Sequence, residues 1–194
     1  FADLGMEVKF PKDDYGSVKS VLVREPEAID DVAFFDPMRA SECPMFTKVA
    51  LESLKETADR LPEDLNICGL TWGPISTAGY LMGAENLILA WMMDEQSGVK
   101  KVVERSADFV LALHGAMLDA GATLAWMADP TSSMDIIDPD MFENVSKAPL
   151  KRVMSKLRAD DVHTYLHVCG STMPLIPHLK EMSCDCFSLD TAVD

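Results

Sequence analysis

Short apolar segments alternate with stretches of helical periodicity, and this alternation most restricts what the chain can fold into. Four apolar runs fit buried strands: LNICGLT (65–71), ATLAWMADP (122–130), YLHVCG (165–170) and CDCFSLD (184–190). Helical patterns separate them: 46–61 before the first run, then 75–93, 99–118, 138–158 and 174–182. Strands joined through helices pair in parallel with right-handed crossovers, so the sequence predicts an α/β fold, either a doubly wound sheet or a TIM-type barrel.

The length of the chain limits how much of a barrel it can supply. Its 194 residues suit one domain, whereas a closed eight-stranded barrel typically needs about 250. We therefore expect a single domain over 1–194, with an irregular leading segment at 1–44 and strand-helix units at 45–194. A partial barrel would leave open hydrophobic edges, which predicts self-association unless another chain covers them.

The charge balance argues against several kinds of partner. Seventeen Lys and Arg against 32 Asp and Glu give a net charge of -15, which repels nucleic-acid backbones and anionic lipid surfaces. No run of about 18 apolar residues is present, and the first residues lack the pattern of a signal peptide. The sequence thus predicts a cytoplasmic protein without nucleic-acid or membrane partners, whose five cysteines are free thiols or metal ligands.

His167 and Cys169 are the strongest candidates for chemistry. They lie two residues apart, so on a strand both side chains point to the same face and can meet one ion. Imidazole and thiolate favour zinc, and a catalytic zinc site uses about three protein ligands. Gly170, Ser171 and Thr172 follow directly, at the strand end where α/β folds place their sites. The alternative of a core histidine beside an inert buried cysteine stays open.

Two carboxylates are expected on the same rim. Asp129 ends the second predicted strand and Asp190 the fourth, so both are candidate catalytic residues beside His167 and Cys169. Helix capping or turn formation is the alternative for each, and Asp-Pro-Thr-Ser-Ser after the second strand is ordinary turn chemistry.

Several motifs across the chain resemble the uroporphyrinogen decarboxylase superfamily. They are TWGPISTAGYLMG (71–83), ADPTSSMDIIDPDMF (128–142), LHVCGST (166–172) and DCFSLDTAVD (185–194). The H-x-C-G-x-T strand end is similar to the methylcobamide:coenzyme M methyltransferase branch rather than to the true decarboxylases, which lack the metal. The resemblance implies a TIM-type (β/α)8 barrel of the uroporphyrinogen decarboxylase type, about half of which is present.

The resemblance also implies a function. Zinc held by His167 and Cys169 would bind a thiol such as coenzyme M, and the methyl donor would be a methylcobamide on a separate methylated corrinoid protein. The family's second cysteine ligand would come after residue 194, and Asp190 stands where an acidic residue can complete the zinc site. Two alternatives remain: a tetrapyrrole decarboxylase, for which Arg24 and Arg39 are few arginines to hold carboxylates, and a non-catalytic fragment that binds a corrinoid or a partner protein.

Overall fold

A four-stranded parallel sheet backed by helices forms the centre of the computed structural model, which describes residues 1–13, 16–93, 96–160 and 162–191. Before it comes a small antiparallel hairpin of β1 (Val8–Lys9) and β2 (Ser17–Val18), with 3-10 helices at Ala2–Leu4, Pro26–Asp31 and Ala40–Glu42. The leading segment is therefore less irregular than the sequence predicts.

The parallel sheet is formed by β3 (Cys68–Trp72), β4 (Leu124–Ala128), β5 (His163–His167) and β6 (Cys186–Ser188), paired in chain order. The pairing brings Trp72, Ala128, His167 and Ser188 to one level, at the carboxyl ends of the strands. This confirms the predicted α/β fold with parallel strands. The bounds of all four strands differ from those of the apolar runs, and β5 in particular stops at His167 rather than at Gly170.

Helices connect the strands. The structure contains α1 (Met45–Arg60), α2 (Pro74–Met82), α3 (Ala84–Met92), α4 (Gln96–Asp119), α5 (Pro139–Met141), α6 (Lys147–Ala159) and α7 (Ile176–Leu179). Two predicted continuous helices are interrupted. Gly83, with φ of 87°, separates α2 from α3, because a residue with positive φ interrupts the helical backbone conformation. A π-helical turn at Phe142–Ser146 joins α5 to α6, and the predicted 174–182 helix is a 3-10 turn followed by α7.

The two faces of the sheet differ in burial. On the helix side, Thr71, Met127 and Leu166 are buried in the main core. On the opposite side, Leu70, Trp72 and Trp126 expose 53%, 40% and 37% of their surface. In a β/α barrel the helices lie outside, so this exposed side corresponds to the barrel interior. We call it the inner face.

Side chains on the inner face form levels, as the strand register requires. The middle level consists of Leu70, Trp126, Tyr165 and Cys186. Trp126 and Tyr165 meet edge to face with ring centroids 6.0 Å apart, and a hydrogen bond to the thiol of Cys186 raises the pKa of Tyr165. His167 belongs to the level above, so an aromatic floor lies beneath the strand ends.

Within the described ranges, no helix has the length and apolar character needed to cross a membrane.

Candidate functional site

His167 and Cys169 meet at the end of β5. His167 is the last residue of the strand and Cys169 lies two residues beyond it, so the prediction that both sit on the strand was wrong for Cys169. The expected meeting still occurs, because His167 Nε2 and Cys169 Sγ are 3.0 Å apart. Cys169 is exposed and His167 half-buried, which leaves the pair accessible from above the strand ends.

The other nitrogen of His167 is held by β6. Nδ1 lies 3.1 Å from the carbonyl oxygen of Ser188 and 3.0 Å from its Oγ. A carbonyl oxygen only accepts hydrogen bonds, so Nδ1 must carry the proton. Nε2 then presents a lone pair toward Cys169, which is the tautomer a metal-binding histidine needs. Ser188 was not among the predicted site residues, although the alternation of 184–190 places it on the same strand face as Asp190.

The turn after Cys169 has its backbone groups engaged from two sides. Gly170 has φ of 71°, and its N–H donates to Asp190 Oδ2 at 2.8 Å. The N–H of Ser171 donates to Asp135 Oδ2 at 2.8 Å. Thr172 is fully buried, and within the described part of the chain its hydroxyl has no hydrogen-bond partner. Gly170 and Ser171 are therefore held next to Cys169 through their backbone, and a substrate-binding role for these two residues and Thr172 stays a prediction.

Asp190 lies on the same rim, as the sequence predicts. Besides accepting from Gly170, it accepts a hydrogen bond from Thr191 Oγ1 at 3.1 Å. Partial burial, followed by the negative charge of Asp190, raises the pKa of the Cys169 thiol. Without a cation the thiol is therefore protonated at neutral pH and can donate to His167 Nε2.

Asp129 lies next to His167 through its backbone, but its carboxylate points elsewhere. Its N–H donates to the carbonyl oxygen of His167 at 2.8 Å. Its fully buried carboxylate accepts from Ser76 N at 2.9 Å, near the start of α2, and from Ser132 Oγ at 3.1 Å. Burial raises its pKa to about 6, against the lowering effect of these hydrogen bonds. The contacts are those of a capping residue, and a catalytic role for Asp129 stays a prediction.

The pair supplies two of the donors that a zinc ion needs. Tetrahedral zinc would hold nitrogen and sulfur about 3.5 Å apart, so the observed 3.0 Å requires an opening of roughly half an ångström. Across the described residues, no group of three or more His, Cys, Asp and Glu side chains is arranged to hold a metal. His167 and Cys169 fit zinc as a partial site, whose remaining ligand has to come from elsewhere.

Comparison with known proteins identifies the class. The sequence model of the uroporphyrinogen decarboxylase (URO-D) family matches residues 1–194. A solved methyltransferase from Methanosarcina mazei superposes with a TM-score of 0.83 at 22% identity, covering 96% of this chain and 53% of that one. The chain thus belongs to the URO-D family and has its α/β barrel fold in part.

Relatives with known activities are methyltransferases. The methylated-thiol–coenzyme M methyltransferase of Methanosarcina mazei is 26% identical over 188 residues, which cover 97% of this chain and 48% of that protein. The methylcobamide:CoM methyltransferase MtbA of Methanosarcina acetivorans is 28% identical over 147 residues, covering 74% and 42%. The chain therefore spans about half the length of these relatives, and the resemblance to the methyltransferase branch is confirmed at the level of homology.

Proposed function

We propose that this chain carries the thiol-binding zinc ligands of a methyltransferase, which moves a methyl group from a methylated corrinoid protein to a thiol such as coenzyme M. The observation that carries the proposal is the contact of His167 Nε2 with Cys169 Sγ at the carboxyl end of β5. The activities for which the relatives are named supply the substrate classes.

Each residue of the site has a defined task in this proposal. Ser188 holds the Nδ1 proton of His167 and so keeps Nε2 free to bind. Asp190 fixes the backbone just after Cys169 through the N–H of Gly170; direct binding of Asp190 to the metal remains a further prediction.

Bound zinc would lower the pKa of a substrate thiol, so that sulfur reacts as the thiolate. In the transfer, the carbon–cobalt bond of the donor breaks with its electron pair left on cobalt. A carbon–sulfur bond forms, and the thiol proton passes to solvent. The protein needs no nucleophile of its own for this reaction, which agrees with a site built from ligands and positioning contacts.

Metal content tests the proposal directly. We expect zinc in the purified protein, and we expect its loss in His167→Ala and in Cys169→Ala. The chain offers matched controls in His163→Ala, at the other end of the same strand, and Cys68→Ala, an exposed cysteine on β3. Both controls should keep the zinc. Zinc that persists in the His167 and Cys169 variants would refute the site assignment.

A non-catalytic role is the second candidate, and the two-donor arrangement favours it. A zinc site with only His167 and Cys169 in the described ranges could bind a corrinoid or a partner without turnover. A methyl-transfer assay with methylcob(III)alamin and coenzyme M separates the two: zinc binding without thioether formation supports this candidate, and thioether formation supports the enzyme.

A further inference from the structure

Asp135, in the loop after β4, accepts a hydrogen bond from the backbone near Cys169. Its Oδ2 accepts the N–H of Ser171 at 2.8 Å, a hydrogen bond to a charged acceptor, which is stronger than a neutral one. One residue earlier, the N–H of Met134 donates to the carbonyl oxygen of Ser171 at 3.0 Å. Both backbone groups of Ser171 are thus taken by residues 134 and 135.

Asp135 lies so close to the backbone at position 170 that only glycine fits there without a clash. A Cβ added to Gly170 would lie 2.1 Å from Asp135 Oδ2 and 2.8 Å from Ser133 Oγ. Ser133 Oγ also receives the N–H of Asp135 at 3.3 Å, which orients the carboxylate toward the turn. With Asp190 on the N–H of Gly170, two carboxylates from different loops hold two successive amides.

We infer that Asp135 is a positioning residue for Cys169. Within the part of the chain that the structure describes, Asp135 makes no hydrogen bond to His167 or Cys169, and it acts by fixing the turn that sets the direction of the Cys169 side chain. The inference rests on the proposed zinc site for its functional meaning, but the positioning itself can be measured without metal. Groups that orient ligands indirectly typically contribute 10- to 100-fold to metal affinity.

Three variants separate hydrogen bonding from charge. Asp135→Ala removes the acceptor, whereas Asp135→Asn keeps an amide oxygen that can still accept from Ser171. Asp140→Ala is the matched control, because Asp140 is an exposed carboxylate five residues on, bonded to Asn144. We expect Asp135→Ala to weaken zinc binding about 10-fold, Asp135→Asn to restore most of it, and Asp140→Ala to leave it unchanged.

A metal-free readout keeps the inference distinct from the proposed function. Hydrogen exchange of the Ser171 amide and the alkylation rate of Cys169 should rise several-fold in Asp135→Ala, with the alkylation of exposed Cys68 as internal reference. If the wild type binds no zinc but these two rates rise, the proposed function fails and the positioning role stands. If exchange and alkylation match the wild type, Asp135 does not position Cys169, whatever the zinc affinity.

Discussion

At the scale of single residues, position 170 is the one in the site that most strictly requires glycine. Replacing Gly170 with Ala should cost more than the usual left-handed penalty of about 1–2 kcal/mol, because the new Cβ would collide with Asp135. Gly5→Ala is the matched control, since Gly5 has φ of 93° and open space around it. Urea unfolding should show the larger loss of stability for Gly170→Ala. Equal losses would mean that the turn relaxes without cost.

The sequence predicted the principal residues of the candidate site but not how they are held. His167, Cys169, Gly170 and Asp190 were predicted from strand alternation and from where each strand ends. The contact of Asp135 was missed, because its partner Ser171 is a backbone amide 36 residues away and no periodicity reveals such a pair. The Ser-x-Asp turn at 133–135 was the local signal that could have suggested it.

At the scale of elements, the start of α2 is tightly packed against Asp129. A Cβ at Gly73 would lie 2.2 Å from Asp129 Cγ, whereas a Cβ at Gly79, within the same helix, finds its nearest neighbour at 3.6 Å. Gly79→Ala should therefore stabilise the protein by roughly 0.5–1 kcal/mol through helix propensity. Gly73→Ala should destabilise it. Thermal unfolding of the two variants checks the contrast, and a stabilising Gly73→Ala would contradict the packing described.

The bounds of an element were predicted well where a local sequence signal such as proline marks them. They were missed where pairing with a neighbouring strand determines them. α1 starts and ends one residue from its predicted bounds, because Pro62 and a regular apolar pattern define it. β5 ends at His167, since its neighbour β6 pairs only as far as Ser188. The π-helical turn before α6 was not predicted, because its buried apolar residues Phe142 and Val145 lie three apart, a spacing that also fits an α-helix.

At the scale of the whole molecule, two buried groups make stability depend on pH in opposite directions. Burial raises the pKa of Asp129 from 3.8 to about 6, so its stabilising contribution is lost as pH rises toward 6. Burial lowers the pKa of His114 from 6.5 to about 4, so stability is lost as pH falls below 6.5. The two effects overlap between about pH 4 and 6 and offset each other.

Replacing either group should reveal the effect of the other on the pH dependence of stability. Between about pH 7.5 and 5, Asp129→Asn should lose about 1–2 kcal/mol more stability than the wild type, because only the His114 effect remains. His114→Gln should lose less than the wild type over the same range; its amide can keep the bond that His114 Nε2 makes with Thr71 Oγ1 at 2.7 Å. Urea unfolding at both pH values measures the differences. Parallel pH profiles for all three proteins would contradict these pKa directions.

The exposed inner face predicts self-association of the 194-residue chain. Leu70, Trp72 and Trp126 present an apolar patch over two levels of the inner face, on a sheet whose outer strands β3 and β6 each pair with one neighbour. Sedimentation velocity should show concentration-dependent association, which Leu70→Lys weakens and Leu61→Lys, a substitution at an exposed leucine outside the sheet, does not. If the protein stays monomeric at every concentration, the inner face does not drive self-association and the prediction is wrong.

The aromatic floor of Trp126 and Tyr165 has a kinetic consequence. It lies on the inner face two residues along the strand below His167, about 6.6 Å, with the two rings meeting edge to face under the pair of His167 and Cys169. Under the proposed reaction, thiol and methyl donor would both approach from above the strand ends, where Cys169 is exposed. The small thiol has to enter before the bulky corrinoid protein covers the strand ends, so the reaction should follow a compulsory order, with thiol first to bind and thioether last to leave.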